Sequence, residues 1–262
     1  MSRPGDLPFD APAVERGMGL FETVLLVGRR AVLWMAHLDR LYASLSRWEF
    51  PAPSRGALEA EATRLAGAAG LATLEERALR IAWIAVGPDL EATESWRLDL
   101  SIRPIPPLTL RRRGGAHGIT LPPDLRRDTP STKSTSYFSA VAGLRMAARR
   151  GGDEGLFTAA DGTYLEGTST ALLAWNGGLP VRAGTDALAS VTVAAFAPEP
   201  GPRLSLSEPL LRDGALLCGS LTLAVPLAFL DGKPCAQPPA MLQRIAEFNR
   251  RLRTDPALGR DL

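Results

Sequence analysis

The chain has 262 residues, 45% hydrophobic and 22% charged, which is enough to bury a core in one large or two modest domains. Thirty basic against 28 acidic residues leave a formal net charge of +2, so nothing in the charge balance calls for nucleic acid or a membrane surface as partner. The two cysteines form no CxxC pair and no His/Cys cluster suggests a metal, which fits a reducing cytoplasm; no apolar run reaches the ~20 residues of a membrane span, and the start lacks a signal-peptide pattern.

In chain order, LFETVLLV over 20–27 predicts a strand, with its partner over 31–34 across the turn at Gly28. Leu38, Leu41, Leu45 and Trp48 recur at helical spacing and predict a helix over 35–48. A second helix is expected over 54–69, with Ser54 as N-cap and Gly70 near its end. Strands over 80–86 and 96–103 complete a small α/β unit. The Pro-, Gly- and Arg-rich stretch 104–118 reads as a linker, and its charge run Arg111–Arg113 as a solvated face.

After a short strand near Ile119, a helix is expected over 134–150 with Tyr137, Val141, Leu144 and Ala148 on one face. Short strands follow over 155–159, 164–166, 171–175 and 179–181, then a short helix over 190–197. A strand, loop and strand fill 216–230, and a helix over 239–253 closes the chain. Many short strands with few long helices predict α+β rather than a doubly wound parallel sheet.

Lysine occurs only at Lys133 and Lys233; the other Lys/Arg positions are all arginine. The two residues exchange readily as surface charges. They do not exchange where a primary amine is needed, because a guanidinium stays protonated. Lys233, in LDGKP, reads as a solvated turn residue. Lys133, in DTPSTKSTSYF, is either a chance surface lysine or a functional amine.

Five segments bear on that choice. GMGLFETVLL, AHLDRLYASL, STKSTSYF, DEGLFTAADGTYLEGTST and AVPLAFLDGK occur in an order and spacing that resembles the class IV (branched-chain and D-amino acid type) aminotransferase family. That family includes 4-amino-4-deoxychorismate lyase, and the resemblance runs over roughly 17–233. It implies a two-domain α+β fold: a small N-terminal α/β domain (1–107), a linker (108–117) and a larger C-terminal cofactor-binding domain of short strands with helices (118–262). It also implies pyridoxal 5'-phosphate (PLP) as cofactor, a small-molecule amino substrate and a homodimer.

The same resemblance assigns the site. Lys133 becomes the Schiff-base amine, which also moves protons at the substrate carbon. Glu166, in LEGTST, becomes the anion beside the cofactor's ring nitrogen. Arg40, in HLDRLYAS, is the phosphate candidate, since a guanidinium pairs with phosphate in a planar fork. Thr192 falls at a helix start suited to an anion, and Ser220 in a loop that reaches the phosphate. Tyr137, four residues beyond Lys133, either approaches the cofactor's phenolic oxygen or packs in the core. His37 packs or hydrogen-bonds locally. The chain departs from the family pattern at Met18, Ala171, Val193 and Leu223, and GPDLEATES after Val86 contains no arginine. The activities implied are a lyase that yields 4-aminobenzoate and pyruvate for folate synthesis, a branched-chain or D-amino acid aminotransferase, or a non-catalytic PLP-binding relative.

Overall fold

The computed structural model describes residues 11–87, 95–183, 187–198 and 204–262. The chain divides into two compact units. One takes the described residues up to Pro104 together with Thr132–Tyr137 and Arg260–Leu262; the other takes Ile105–Ser131 and Phe138–Gly259. None of the described helices is long and apolar enough to cross a membrane.

The first unit contains α1 (Pro12–Glu15), β1 (Gly19–Val27), β2 (Arg30–Val32), α2 (Trp34–Arg47), α3 (Arg55–Ala69), β3 (Glu76–Ala85) and β4 (Trp96–Arg103). Its sheet runs β2-β1-β3-β4, and the chain's last strand, Gly259–Asp261, pairs outside β2. Gly28 makes the β1–β2 turn at φ 58°, where a Cβ would meet the Thr73 carbonyl oxygen at 2.7 Å. Period-two alternation sorts the sheet's faces. Leu20, Val24, Leu26, Leu79 and Ile81 bury against Leu38, Leu41 and Leu45 of α2 and Leu58 and Ala62 of α3. As the sequence predicts, α3 starts at the Ser54 cap, whose hydroxyl accepts from the Ala57 amide at 3.4 Å, and stops at Gly70, φ 58°.

The second unit contains α4 (Pro107–Arg112), β5 (Ala116–Thr120), α5 (Phe138–Arg149), β6 (Glu154–Thr158), β7 (Tyr164–Gly167), β8 (Ala171–Asn176) and β9 (Leu179–Arg182). These are followed by α6 (Val191–Phe196), α7 (Glu208–Arg212), β10 (Ala215–Gly219), β11 (Leu223–Leu230), β12 (Lys233–Pro234) and α8 (Pro239–Thr254). The strand order is β10-β11-β5-β6-β7-β8-β9, and β8 pairs back to β10, so six strands close on themselves. Leu156, Tyr164, Leu172, Leu217, Val225 and Leu227 are among the residues of its core. The mixed helix and sheet content is the α+β architecture expected.

Three details differ from the sequence reading. The stretch 108–117, read as a linker, carries most of α4 and the first two residues of β5. The helix expected from 134 starts at Phe138, because residues 132–137 lie along β1 instead. There the Phe21 amide donates to the Lys133 carbonyl at 3.0 Å and the Thr135 amide to the Gly19 carbonyl at 2.8 Å. Finally, α5 buries Ser139, Ala140, Gly143 and Ala147, while Val141 is exposed. Close packing selects these small residues: a Cβ on Gly143 would meet Leu121 Cδ1 at 2.6 Å.

Candidate active site

In the first unit the candidate residues Arg40, Lys133 and Tyr137 stand around β1. Phe21 and Glu22 are neighbours on that strand and so face opposite ways. Lys133 is half-buried, with its Nζ 4.4 Å from the centroid of the Phe21 ring and 5.9 Å from that of Tyr137. Tyr137 meets Phe21 edge-on at 5.4 Å. Because α5 starts only at Phe138, Tyr137 is not held one helical turn beyond Lys133; this shared ring brings the two together. Phe21 also carries the Arg80 guanidinium, whose carbon lies 4.0 Å from the ring centroid.

Glu22, on the other face, is a lone acid among leucines and valines and only 1% exposed. It accepts from Arg40 Nε and Nη2, both at 2.7 Å, and shares a 2.7 Å hydrogen bond with His37 Nδ1. Burial alone would push the carboxyl up, but His37 and Arg40 outweigh it and hold Glu22 at about 2. Burial pushes His37 down from its ordinary value, and the charges of Arg40 and Lys133 act in the same direction. Arg40 is therefore a partly buried, oriented guanidinium whose fork is braced by a carboxylate. His37 does hydrogen-bond locally, to an acid that the sequence reading left without a role.

In the second unit, Glu166 near the end of β7 is buried and ion-paired with Arg127 Nε at 3.1 Å. The Leu188 amide donates to its second oxygen at 3.3 Å. Two cavities border Glu166, one of about 240 Å³ lined also by Arg127, Phe157 and Leu165, the other of about 190 Å³ lined also by Ala171, Ser190 and Val193. Thr192 is the second residue of α6 and buried; the cap is Ser190, whose hydroxyl accepts from Val193 N at 3.2 Å. Ser220 is partly exposed in the turn between β10 and β11.

That turn is held by a residue of the run expected to be solvated. Arg113 donates twice to the Leu221 carbonyl, at 2.7 and 3.0 Å. Arg112 is buried and pairs with Glu154 at 2.7 Å. Only Arg111 of the three is fully exposed. The run ends α4 and turns inward because Glu154, fully buried at the start of β6, needs a cation. Glu154 also accepts from the Thr168 hydroxyl, the Ser169 hydroxyl at 3.0 Å and the Thr170 hydroxyl at 3.1 Å.

The donor set fits PLP in kind: a primary amine at Lys133, a buried carboxylate at Glu166 steadied by a cation, a braced guanidinium at Arg40 and a hydroxyl at Ser220. Glu22, Arg127, Glu154 and Arg80 escaped the sequence reading, and Arg112 was read there only as part of a solvated run. Glu22 had a usable signal, a single acid breaking an apolar strand. The arginines had none in a chain so rich in arginine.

The sequence model of the family described as amino-transferase class IV matches residues 19–228. A bifunctional aminodeoxychorismate lyase / D-amino acid transaminase of Mycobacterium tuberculosis is 30% identical over 260 residues, covering 88% of either chain. Among solved structures, a hypothetical aminotransferase from M. tuberculosis with α-ketoglutarate and PMP bound superposes with a TM-score of 0.84 at 26% identity, covering 96% of this chain and 95% of that one. The branched-chain amino acid aminotransferase of Escherichia coli superposes with a TM-score of 0.77 at 18% identity over 93% of this chain and 88% of its own, a likeness of fold.

Proposed function

The chain belongs to the amino-transferase class IV family of PLP-dependent enzymes, and within it we propose that it acts as a 4-amino-4-deoxychorismate lyase. The reaction splits the substrate into 4-aminobenzoate and pyruvate, a step of folate synthesis. The observation that carries this reading is the M. tuberculosis relative, whose name gives that activity first. The same name supports a second reading, D-amino acid transamination, as does the segment HLDRLYAS.

In this proposal Lys133 holds the cofactor's aldehyde carbon, Glu166 faces the ring nitrogen, and Arg40, Thr192 and Ser220 receive the phosphate, with Tyr137 near the phenolic oxygen. PLP, when bound, withdraws electrons from the carbon that bears the substrate's amino group. Lys133 moves the proton at that carbon, its amine steadied beside the Phe21 and Tyr137 rings. Arg127 keeps the carboxylate of Glu166 in place. Both cysteines are free and buried, which suits a reducing cytoplasm. A homodimer belongs to the same reading, supported by the exposed Phe138 and Val141 of α5.

The test is pyruvate release from aminodeoxychorismate by the PLP-loaded protein with no keto acid present, beside transfer from D-alanine to 2-oxoglutarate. Pyruvate release supports the lyase; transfer alone supports the transaminase; neither leaves a non-catalytic relative. Borohydride treatment followed by mass spectrometry should place the phosphopyridoxyl group on Lys133, and Lys133→Ala should lose turnover by orders of magnitude. A label on Lys233 defeats the assignment.

A further inference from the structure

Two buried carboxylates of the second unit are joined through one residue. Thr168, 1% exposed in the loop between β7 and β8, donates its hydroxyl to the fully buried Glu154. Its carbonyl accepts from Arg127 Nη2 at 2.9 Å, and the same guanidinium lies against Glu166 through Nε at 3.1 Å. The backbone leaves this loop little freedom to seat in another way. The Thr168 amide donates to the Gly155 carbonyl at 2.8 Å, and the Gly167 amide to the Thr170 carbonyl at 2.8 Å. A Cβ on Gly167 would meet Glu154 Cδ at 3.0 Å, so the chain closes directly on the Glu154 carboxylate. Glu166 is the residue before the loop, and Ala171, its partner across the hairpin, is the residue after it.

Buried ion pairs add little net stability over apolar packing, whereas a satisfied polar network fixes one geometry. We propose that Glu154, acting through Thr168, is a positioning residue that sets where Glu166 and Arg127 stand for the cofactor's ring nitrogen. The inference rests on the reading of Glu166 as that nitrogen's partner. Glu166 has to keep an oxygen turned to the ring while Arg127 and the Leu188 amide, at 3.3 Å, steady it. Arg127 divides its donors between Glu166 and the Thr168 carbonyl. When Thr168 is released from Glu154, Arg127 loses its second fixed acceptor, and the carboxylate it holds shifts with it. A displacement of about 0.5 Å is enough to spoil a productive geometry.

The test titrates the cofactor-free protein with PLP and records the absorbance of the bound cofactor, which responds to the protonation of its ring nitrogen. E166Q sets the reference: it should move the absorbance band. T168V keeps the shape of the side chain and removes the hydroxyl; it should move the band in the same direction by a smaller amount and weaken PLP binding roughly three- to tenfold, the worth of one hydrogen bond. T168S keeps the hydroxyl and should restore parental binding and absorbance. E154Q should match or exceed T168V. L211A opens a cavity in the core of the same unit, at a residue away from this network; it should lower the thermal midpoint without moving the band. Thermal midpoints report whether each variant folds; if E154Q does not, T168V and T168S carry the test. Parental affinity and absorbance in folded T168V, failure of T168S to restore them, or an equal change in L211A overturns the proposal. An E166Q protein with the parental band removes the premise, because the ring nitrogen then has another partner. No substrate enters these measurements, so the choice between lyase and transaminase does not bear on them.

Discussion

A carboxylate in the middle of LFETVLLV is costly to bury, and Glu22 is tolerated there because Arg40 and His37 meet it from α2. This arrangement sets a direction for acid sensitivity. The folded-state value of about 2 lies below the ordinary 4.5, so Glu22's contribution is full above about pH 4.5 and disappears as the pH falls toward 2. The whole shift corresponds to on the order of 3 kcal/mol. His37 is also depressed, so its contribution is full above its ordinary 6.5 and is lost below it, in the same sense. The thermal midpoint should therefore hold near neutrality, begin to fall below about pH 6.5 and fall further below about 4.5. Glu22→Gln should cost about 3–5 kcal/mol at pH 7 by leaving Arg40 without its anion, and should flatten the fall below 4.5. A parental midpoint that stays level from pH 7 to 3 contradicts this account.

Between β7 and β8, Glu154 organises a hairpin loop. The loop 167–170 wraps its carboxylate with three hydroxyls and the Ser169 amide, and Arg112 closes the cage. Glu166 and Ala171 are the pair that shuts the hairpin, so the position of Glu166 follows from how the loop seats. Glu154→Ala should cost about 3–5 kcal/mol, because it strands a buried Arg112. Glu154→Ala combined with Arg112→Ala should cost less than the sum of the single changes. Urea unfolding midpoints measure both, and simple additivity would show that the two residues do not act as a pair. The sequence showed the hairpin through its turn residues and its short apolar runs, and it placed α2, α3 and α8 within a residue or two. These elements obey local rules of period and capping. It missed the buried face of α5, because Ala140, Gly143 and Ala147 are chosen by close approach to other elements rather than by hydrophobic size. The inward turn of Arg112 was equally hidden, since its partner Glu154 is 42 residues along the chain and no local pattern joins them.

At the scale of the molecule, the chain leaves the first unit at Pro104 and returns to it twice, at Thr132–Tyr137 and at Arg260–Leu262. Neither return was legible in the sequence. A three-residue strand has no periodicity, and the polar run around Lys133 looks like a loop until β1 offers it hydrogen bonds. The second return gives the last prediction. Leu262 is 3% exposed in the first unit's core, its amide donates to the Arg29 carbonyl at 3.1 Å, and Arg29 Nε donates back to its carbonyl at 2.7 Å. Removing residues 260–262 strips the outer strand from β2 and uncovers that core. Losing one buried leucine and two hydrogen bonds should cost a few kcal/mol, on the order of 3. The second unit has its own core and a sheet closed on itself, so its cost should be small. Amide hydrogen exchange separates the two outcomes. Amides of β1 and β3 should exchange faster in the shortened chain, together with Phe21 and Thr135, whose bonds tie the Lys133 segment to β1. Amides of β6 and β10 should keep their protection. Equal acceleration in both units would mean that the closing strand supports the whole chain, and no acceleration in β1 would mean that Leu262 holds nothing.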